Sequence, residues 1–200
     1  MLTRKCALCG ETIELSLPYS RKYVYYKTKS KWYHLDCFTV VTTPRTNIKD
    51  WLDKTEVVVR TEVSKDKIYL LFTKHYNISY ISSGIFKKLD EIYKGTYKGL
   101  AQPISPEELY DILVRKDKYI QGMFIKRSVE NVGKIHYALA VAMSSYKGYK
   151  EWMDKVKAEQ EEQEASRKRS ADFSRAFNVI AKPVITDNQE ESIDYEETMV

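Results

Sequence analysis

No stretch of this chain approaches the roughly 18 uninterrupted apolar residues that a bilayer span needs. With 43% hydrophobic and 30% charged residues, it reads as a globular protein, neither membrane-integral nor wholly disordered. Glycine is sparse, 7 in 200 residues. Gly122 and Gly133 stand alone, without the spaced glycines and lysine of a phosphate-binding loop, so nucleotide hydrolysis has no support. Histidine is rarer still, with three. His75 and His136 have no serine, cysteine or paired carboxylate beside them in the sequence and read as ordinary histidines rather than catalytic bases. No other constellation suggests catalysis, so the expectation is a non-enzymatic protein without a small-molecule substrate. The first residues, Met1 to Cys6, carry charge with no apolar core behind it. No secretory signal is therefore expected, and the reading is intracellular, cytoplasmic or nuclear, without a membrane partner. Abundant lysine, tyrosine and isoleucine are typical of AT-rich coding, which admits a viral source.

Cysteine is the scarcity that informs most. There are three, Cys6, Cys9 and Cys37, and all share one pattern with a histidine: Cys6-x2-Cys9, a gap of 24 residues, then His34-x2-Cys37. An odd count in two close clusters is a poor disulfide framework, but three thiolates and an imidazole are the donors that tetrahedral zinc prefers. Two residues between ligands let a tight turn present both side chains to one ion while its N–H groups point at the sulfurs. Gly10, just after Cys9, suits the positive φ such a turn often needs. Four protein ligands leave no open position for water, so the expected zinc is structural rather than hydrolytic. Zinc with three thiolates and a neutral imidazole carries net −1, so residues 1–40, formally +4 from their side chains, stay basic with metal bound.

The blocks Cys6-Ala7-Leu8-Cys9-Gly10-Glu11-Thr12-Ile13 and Trp32-Tyr33-His34-Leu35-Asp36-Cys37-Phe38 resemble the zinc finger of poly(ADP-ribose) polymerases, shared with a eukaryotic DNA ligase. In that family an acidic residue and an isoleucine follow the Cys-x2-Cys turn, and the last ligands sit in a Trp-Tyr-His-x-x-Cys-Phe block. The resemblance spans about 40 residues and implies zinc on Cys6, Cys9, His34 and Cys37, in a module that recognises DNA ends, nicks or distorted duplex. The central gap is a few residues shorter than in those fingers, so no individual DNA-contact residue is carried over. The remainder of the chain shows neither ADP-ribosyltransferase nor ligase signatures. A LIM domain, which begins similarly, would place its next ligands near Val40 and Thr43; neither residue is a ligand, and a complete LIM module is excluded.

Basic residues are concentrated early: residues 1–100 carry a formal +8, residues 101–200 a formal −3. Between the ligand pairs, Arg21, Lys22, Lys27, Lys29 and Lys31 interleave with Tyr19, Tyr23, Tyr25 and Tyr26. Cations at this density neutralise phosphates, and exposed rings can stack on unpaired bases. The candidate nucleic-acid residues are therefore Arg21, Lys22, Tyr23, Tyr25, Lys27, Lys29 and Lys31. In a strand, Tyr23 and Tyr25 share one face, opposite Val24 and Tyr26. The alternative is that the tyrosines form the finger's own core and the lysines solvate it.

The expected fold class is α+β, with a zinc module over 1–43, a mainly helical body with a β-hairpin over 44–155, and a charged linker and acidic tail over 156–200. Alternation of Val57, Val59, Thr61 and Val63, then Ile68, Leu70 and Phe72 beyond Ser64-Lys65-Asp66, predicts the hairpin. Ile85, Phe86, Leu89, Ile92 and Tyr93 predict a helix stopped by Gly95. Ser105-Pro106-Glu107-Glu108 has the pattern of a capping box. A longer helix is expected from Ser128, burying Val132, Ile135, Leu139 and Met143, until Gly148 interrupts or bends it. Lys155 to Ser170 favours helix without an apolar stripe, Ala171 to Ile180 is a short apolar island, and the end carries six acidic residues from Asp187 to Glu197. The functional expectation is a zinc-stabilised nucleic-acid-binding protein with DNA as its partner, the acidic tail recruiting a protein. The alternative is a zinc-stabilised protein-interaction factor that regulates a replication or transcription machine.

Overall fold

The computed structural model describes residues 2–42, 47–100 and 102–180, with side chains up to Ser174. The class is α+β, as expected: two antiparallel hairpins lead into helices. Strands β1 (Leu2–Lys5) and β2 (Thr12–Leu15) pair with Leu2 opposite Leu15 and Arg4 opposite Ile13. Along β2, Ile13 and Leu15 point inward while Thr12 and Glu14 face out, the period of a half-buried strand. Strands β3 (Tyr23–Tyr26) and β4 (Lys31–His34) pair with Tyr23 opposite His34 and Tyr25 opposite Trp32, joined through a 3-10 turn at Lys27–Lys29.

The β3–β4 hairpin is packed on both faces. Tyr23 and Tyr25 do share one face, where Trp32 lies 6.0 and 4.9 Å from their ring centres. On the other, Tyr26 meets Tyr33, Phe38 of α1 (Leu35–Val41) and Trp51 of α2 (Ile48–Leu70), at 6.5, 5.7 and 5.1 Å. With edge-on and tilted rings on both sides, the hairpin is aromatic without alternating.

The expected hairpin over 57–72 is instead the second half of α2 and a π-turn, Leu71–His75. β-branched residues at every second position suggested strands, but the repeat that decides is every fourth residue. Thr55, Val59 and Val63 are buried, followed at helical spacing by Ile68 and Phe72, while Val57 is 65% exposed. The threonines also suit a helix: Thr55, Thr61 and Thr73 each donate to the carbonyl four residues back, at 2.7, 2.9 and 2.9 Å. Asn47 caps the start by accepting the Asp50 N–H. Ser64, read as part of a turn, is buried within the helix.

This one helix enters two cores. Val59 and Val63 join Ile13, Leu15, Tyr23, Val24, Trp32, Tyr33 and Phe38 in the finger, whereas Ile68 belongs to the core of the helical body. The body is completed by α3 (Ser83–Lys94), α4 (Pro106–Arg115), α5 (Asp117–Lys126) and the start of α6 (Val132–Ile180). Gly95 ends α3 with φ +71, and a Cβ there would lie 2.7 Å from Pro103 N, so only glycine fits. Ser105 and Glu108 form the expected capping box of α4. The last helix starts at Val132 rather than Ser128, because Ser128 and Asn131 take positive φ, 46° each. It buries Ile135, Ala138, Leu139, Ala142 and Tyr146. Gly148 neither interrupts nor ends it.

Residues up to Tyr149 form one compact unit; those from Lys150 form a second. In the second, the chain stays helical to Ile180, and every side chain from Lys157 to Ser170 is exposed, as the lack of an apolar stripe predicts; Phe173, in the apolar island, is exposed as well. The expected acidic tail, Asp187 to Glu197, lies outside the described residues. Among the described residues, no helix is long and apolar enough to cross a membrane.

Candidate metal centre

β1 runs directly into Cys6, the first candidate ligand. Cys6 is bridged to Trp32 of β4, and Ala7 N–H donates to Trp32 O at 2.8 Å, tying the turn to the second hairpin. Gly10 N–H closes the turn onto Cys6 O at 3.0 Å, and Cys6 N–H donates to Glu11 O at 2.9 Å. Gly10 has φ +78 with nothing within 4 Å of where a Cβ would sit, so the turn needs glycine for its backbone conformation and not for space.

The second pair straddles a strand–helix junction. His34 ends β4 and stands at the residue before α1, without a side-chain bond to that helix, which places Cys37 in its first turn. Leu35 N–H donates to Lys22 O at 2.8 Å and holds the junction against the start of β3. The ligand atoms of Cys6, Cys9, His34 and Cys37 all lie within 4.8 Å of one another. Nδ1 is the imidazole atom that faces the cluster, 3.3 Å from Cys9 Sγ. A tetrahedron with Zn–S of about 2.3 Å and Zn–N of about 2.0 Å has edges of roughly 3.5–3.8 Å, so these four could hold one metal ion with little movement.

The electrostatics favour a cation. Burial alone would raise the Cys6 thiol, but the N–H groups of Cys9, Leu8 and His34, with the Cys9 thiol, outweigh it and bring it down to about 6. Burial pushes Cys37 the other way, and the neighbouring Cys6 and Cys9 sulfurs add to it, up to about 11. Three sulfurs this close cannot all ionise unaided; a divalent ion among them reverses that balance.

None of the known protein families matches this chain, and neither a curated protein nor a solved structure does. The site must be read from its own geometry.

The proposed nucleic-acid residues divide into two groups. Tyr23, expected on that surface, is 3% exposed, so its ring offers no stacking face. Trp32 packs against it on one side, Tyr19 meets it edge-on at 5.1 Å, and the Tyr19 hydroxyl donates to Tyr23 O. The tyrosines therefore supply much of the finger's core. Arg21 is exposed but engaged, its guanidinium 2.8 Å from Asp53 and 3.9 Å from Glu56 on α2. Lys22, Lys27, Lys29 and Lys31 are exposed, and among the described residues no carboxylate pairs with them. Tyr25 is half-buried.

Three contributions escape a reading of the sequence. Thr55 of α2 accepts the Tyr25 N–H at 2.9 Å, satisfying the edge of β3 from 30 residues away. Arg4 pairs with Glu62 at 2.9 Å, a second tie between finger and helix. His75 does have a carboxylate neighbour: Asp117 of α5 lies 2.9 Å away, and Gln121 donates to the same oxygen at 2.8 Å. The four-residue repeat along α2 could have revealed the first two; nothing local could have revealed the third. His136 is held below its ordinary range by burial and then by Lys88.

Proposed function

We propose that this is a zinc-stabilised, non-enzymatic nucleic-acid-binding protein whose target is DNA with an end, a nick or a distortion. Three thiolates and an imidazole in one closed set suit structural zinc, with every coordination position taken by protein. In that role Cys6, Cys9, His34 and Cys37 hold the ion, which fixes the turn, the hairpin and α1 in register. The observation that carries the reading is what this scaffold presents: Lys22 before β3 and Lys27, Lys29 and Lys31 around the 3-10 turn are exposed on the hairpin that bears the Cys/His cluster, and none has an acidic partner among the described residues. The likeness of the ligand blocks to poly(ADP-ribose) polymerase fingers supports disrupted duplex as the target.

Fluorescence anisotropy with nicked, single-stranded and intact duplex oligonucleotides tests this. Four lysine–phosphate contacts give a slope of log K against log salt near −3 to −4, and charge reversal at Lys27, Lys29 and Lys31 abolishes most of the binding. No salt-sensitive binding to any of the three substrates refutes the reading.

A second reading, a protein-interaction factor, draws on a slot of about 220 Å³ lined by Tyr69, Phe72, Ile81, Phe86 and Tyr93, with Phe86 50% exposed. A partner that survives nuclease treatment and is retained after the lysine reversals favours it.

A further inference from the structure

Two of the grooves beside α2 are told apart by their charge. One, of about 500 Å³, is lined by the carboxylates of Asp53, Glu56 and Glu107 against the single guanidinium of Arg60. An anion is repelled there. The other, of about 720 Å³, opens between the finger and the helix: Tyr25, Lys27 and Thr28 line it from the hairpin, and Trp51, Lys54 and Val57 from α2. Among the described residues, no carboxylate lines it. Asp50, which holds Lys54 at 2.7 Å, is not among the lining residues.

The second cleft combines features that a nucleotide can use together. Trp51 is braced edge-on by Tyr26 and Phe38, with ring centres 5.1 and 5.9 Å away, so its plane is fixed. The Lys54 ammonium lies 5.6 Å from the centre of that ring, over its face; a base that stacks on this face displaces the ammonium, which its flexible stem leaves within reach of the adjoining phosphate. Lys27 supplies a second cation from the opposite wall, and Val57 adds an apolar surface that is 65% exposed. The volume is in the range of pockets that enclose a small ligand. A carboxylate-rich peptide would use the two lysines but leave the indole and Val57 without a planar partner.

We infer that this cleft is a slot for one unpaired nucleotide of a single strand, its base against Trp51 and its flanking phosphates between Lys27 and Lys54. The inference rests on the nucleic-acid reading above and makes it specific: the slot, rather than the lysine surface alone, distinguishes frayed or single-stranded ends from intact duplex. One consequence is that α2, outside the metal-binding module, becomes part of the recognition surface.

The test uses zinc-loaded full-length protein, titrated at low salt with 12-nucleotide oligo-dT, 12-nucleotide oligo-rU, a blunt 12-base-pair duplex and a poly-glutamate peptide. Trp51→Ala removes the stacking face. Because Trp51 also braces the finger, Val57→Glu, on an exposed side chain, blocks the slot without touching a core. With zinc content and circular dichroism retained, each variant weakens single-strand binding about tenfold or more and changes duplex binding less than threefold. The oligo-dT and oligo-rU arms show which sugar is taken. If both variants bind single strands as tightly as the unmodified protein, while reversal of Lys27, Lys29 and Lys31 removes binding, the slot is refuted and the broader reading stands. Equal weakening of single strand and duplex also refutes the slot. Poly-glutamate binding with the same sensitivity to Val57→Glu reassigns the cleft to an acidic peptide and overturns the inference. If the unmodified protein binds no oligonucleotide, the nucleic-acid reading fails and the slot fails with it.

Discussion

Metal removal should loosen more than the first forty residues, because α2 carries part of the finger's core. Val59 and Val63 are buried against the finger, while the helical core begins on the same helix at Ile68. Without the ion, the ligand pairs lose the tie that closes the module, and apparent binding energies of about 10–16 kcal/mol for structural zinc are large against the stability of so small a core. Unfolding of the finger re-exposes two valines, each stabilising by about 1.5–3 kcal/mol when fully buried. It also removes the Arg4–Glu62 and Arg21–Asp53 pairs, whose exposed geometry adds little. A local loss of about 3–6 kcal/mol corresponds to roughly two to four orders of magnitude in amide protection. Hydrogen exchange on the Cys37→Ser protein, or after chelation, should therefore show protection collapsing over Thr55 to Val63 while Ile112 and Leu139 keep theirs. Circular dichroism should lose α1 and the part of α2 up to Val63, about a fifth of the helical residues. Unchanged protection across α2 after the metal has gone would refute this coupling. Collapse at Leu139 would refute it in the other direction, by showing a single cooperative unit.

Three further outcomes follow from particular contacts. Thr55→Val keeps the shape of a fully buried side chain but leaves the Tyr25 N–H without its acceptor; chemical denaturation should show a loss of about 1–3 kcal/mol, largely restored by Thr55→Ser, and a neutral Thr55→Val would deny the bond its role. Gly95→Ala places a Cβ against Pro103 at a φ of +71; the melting temperature should fall by several degrees, from a cost of about 1–2 kcal/mol or more, and an unchanged melting temperature would contradict the close approach. Zinc uptake should be opposed by acid: at pH 7 Cys6, at about 6, is already largely ionised, whereas Cys37, at about 11, gives its proton up only to the metal. Calorimetry in buffers of differing ionisation heat should detect that proton, and below pH 6 affinity should fall more steeply as the Cys6 proton must leave too; uptake without proton release at pH 7 would contradict the assignment.

How far the sequence could be read depended on the range of the interaction behind each feature. The gathering of Cys6, Cys9, His34 and Cys37 into one cluster that could hold a metal was legible because a turn with Gly10 after it and a strand–helix junction are each local, and two such pairs need only be brought together. The ends of α3 and α4 were legible for the same reason, through Gly95 and the Ser105–Glu108 box. The stretch from Val57 to Phe72 misled because β-branched residues fit a strand's period as well as a helix's, and what settled the matter was burial against two different cores. The tyrosines of β3 could not be sorted into surface and core from alternation, since both faces of that hairpin are covered. Thr55 falls on the buried repeat it shares with Val59 and Val63 and was legible as an inward position, but Trp51 and Lys54 lie off that repeat and beyond the stretch between the ligand pairs, so their place beside the finger depends on tertiary packing.

The proposed module depends on a single zinc ion held by three sulfurs and one imidazole. X-ray absorption at the zinc edge, on protein purified without added metal, should show one equivalent per chain with three Zn–S bonds near 2.3 Å and one Zn–N near 2.0 Å, lost in Cys37→Ser. Substoichiometric metal with three freely reactive thiols in folded protein, or a shell of oxygen and nitrogen without sulfur, would contradict it.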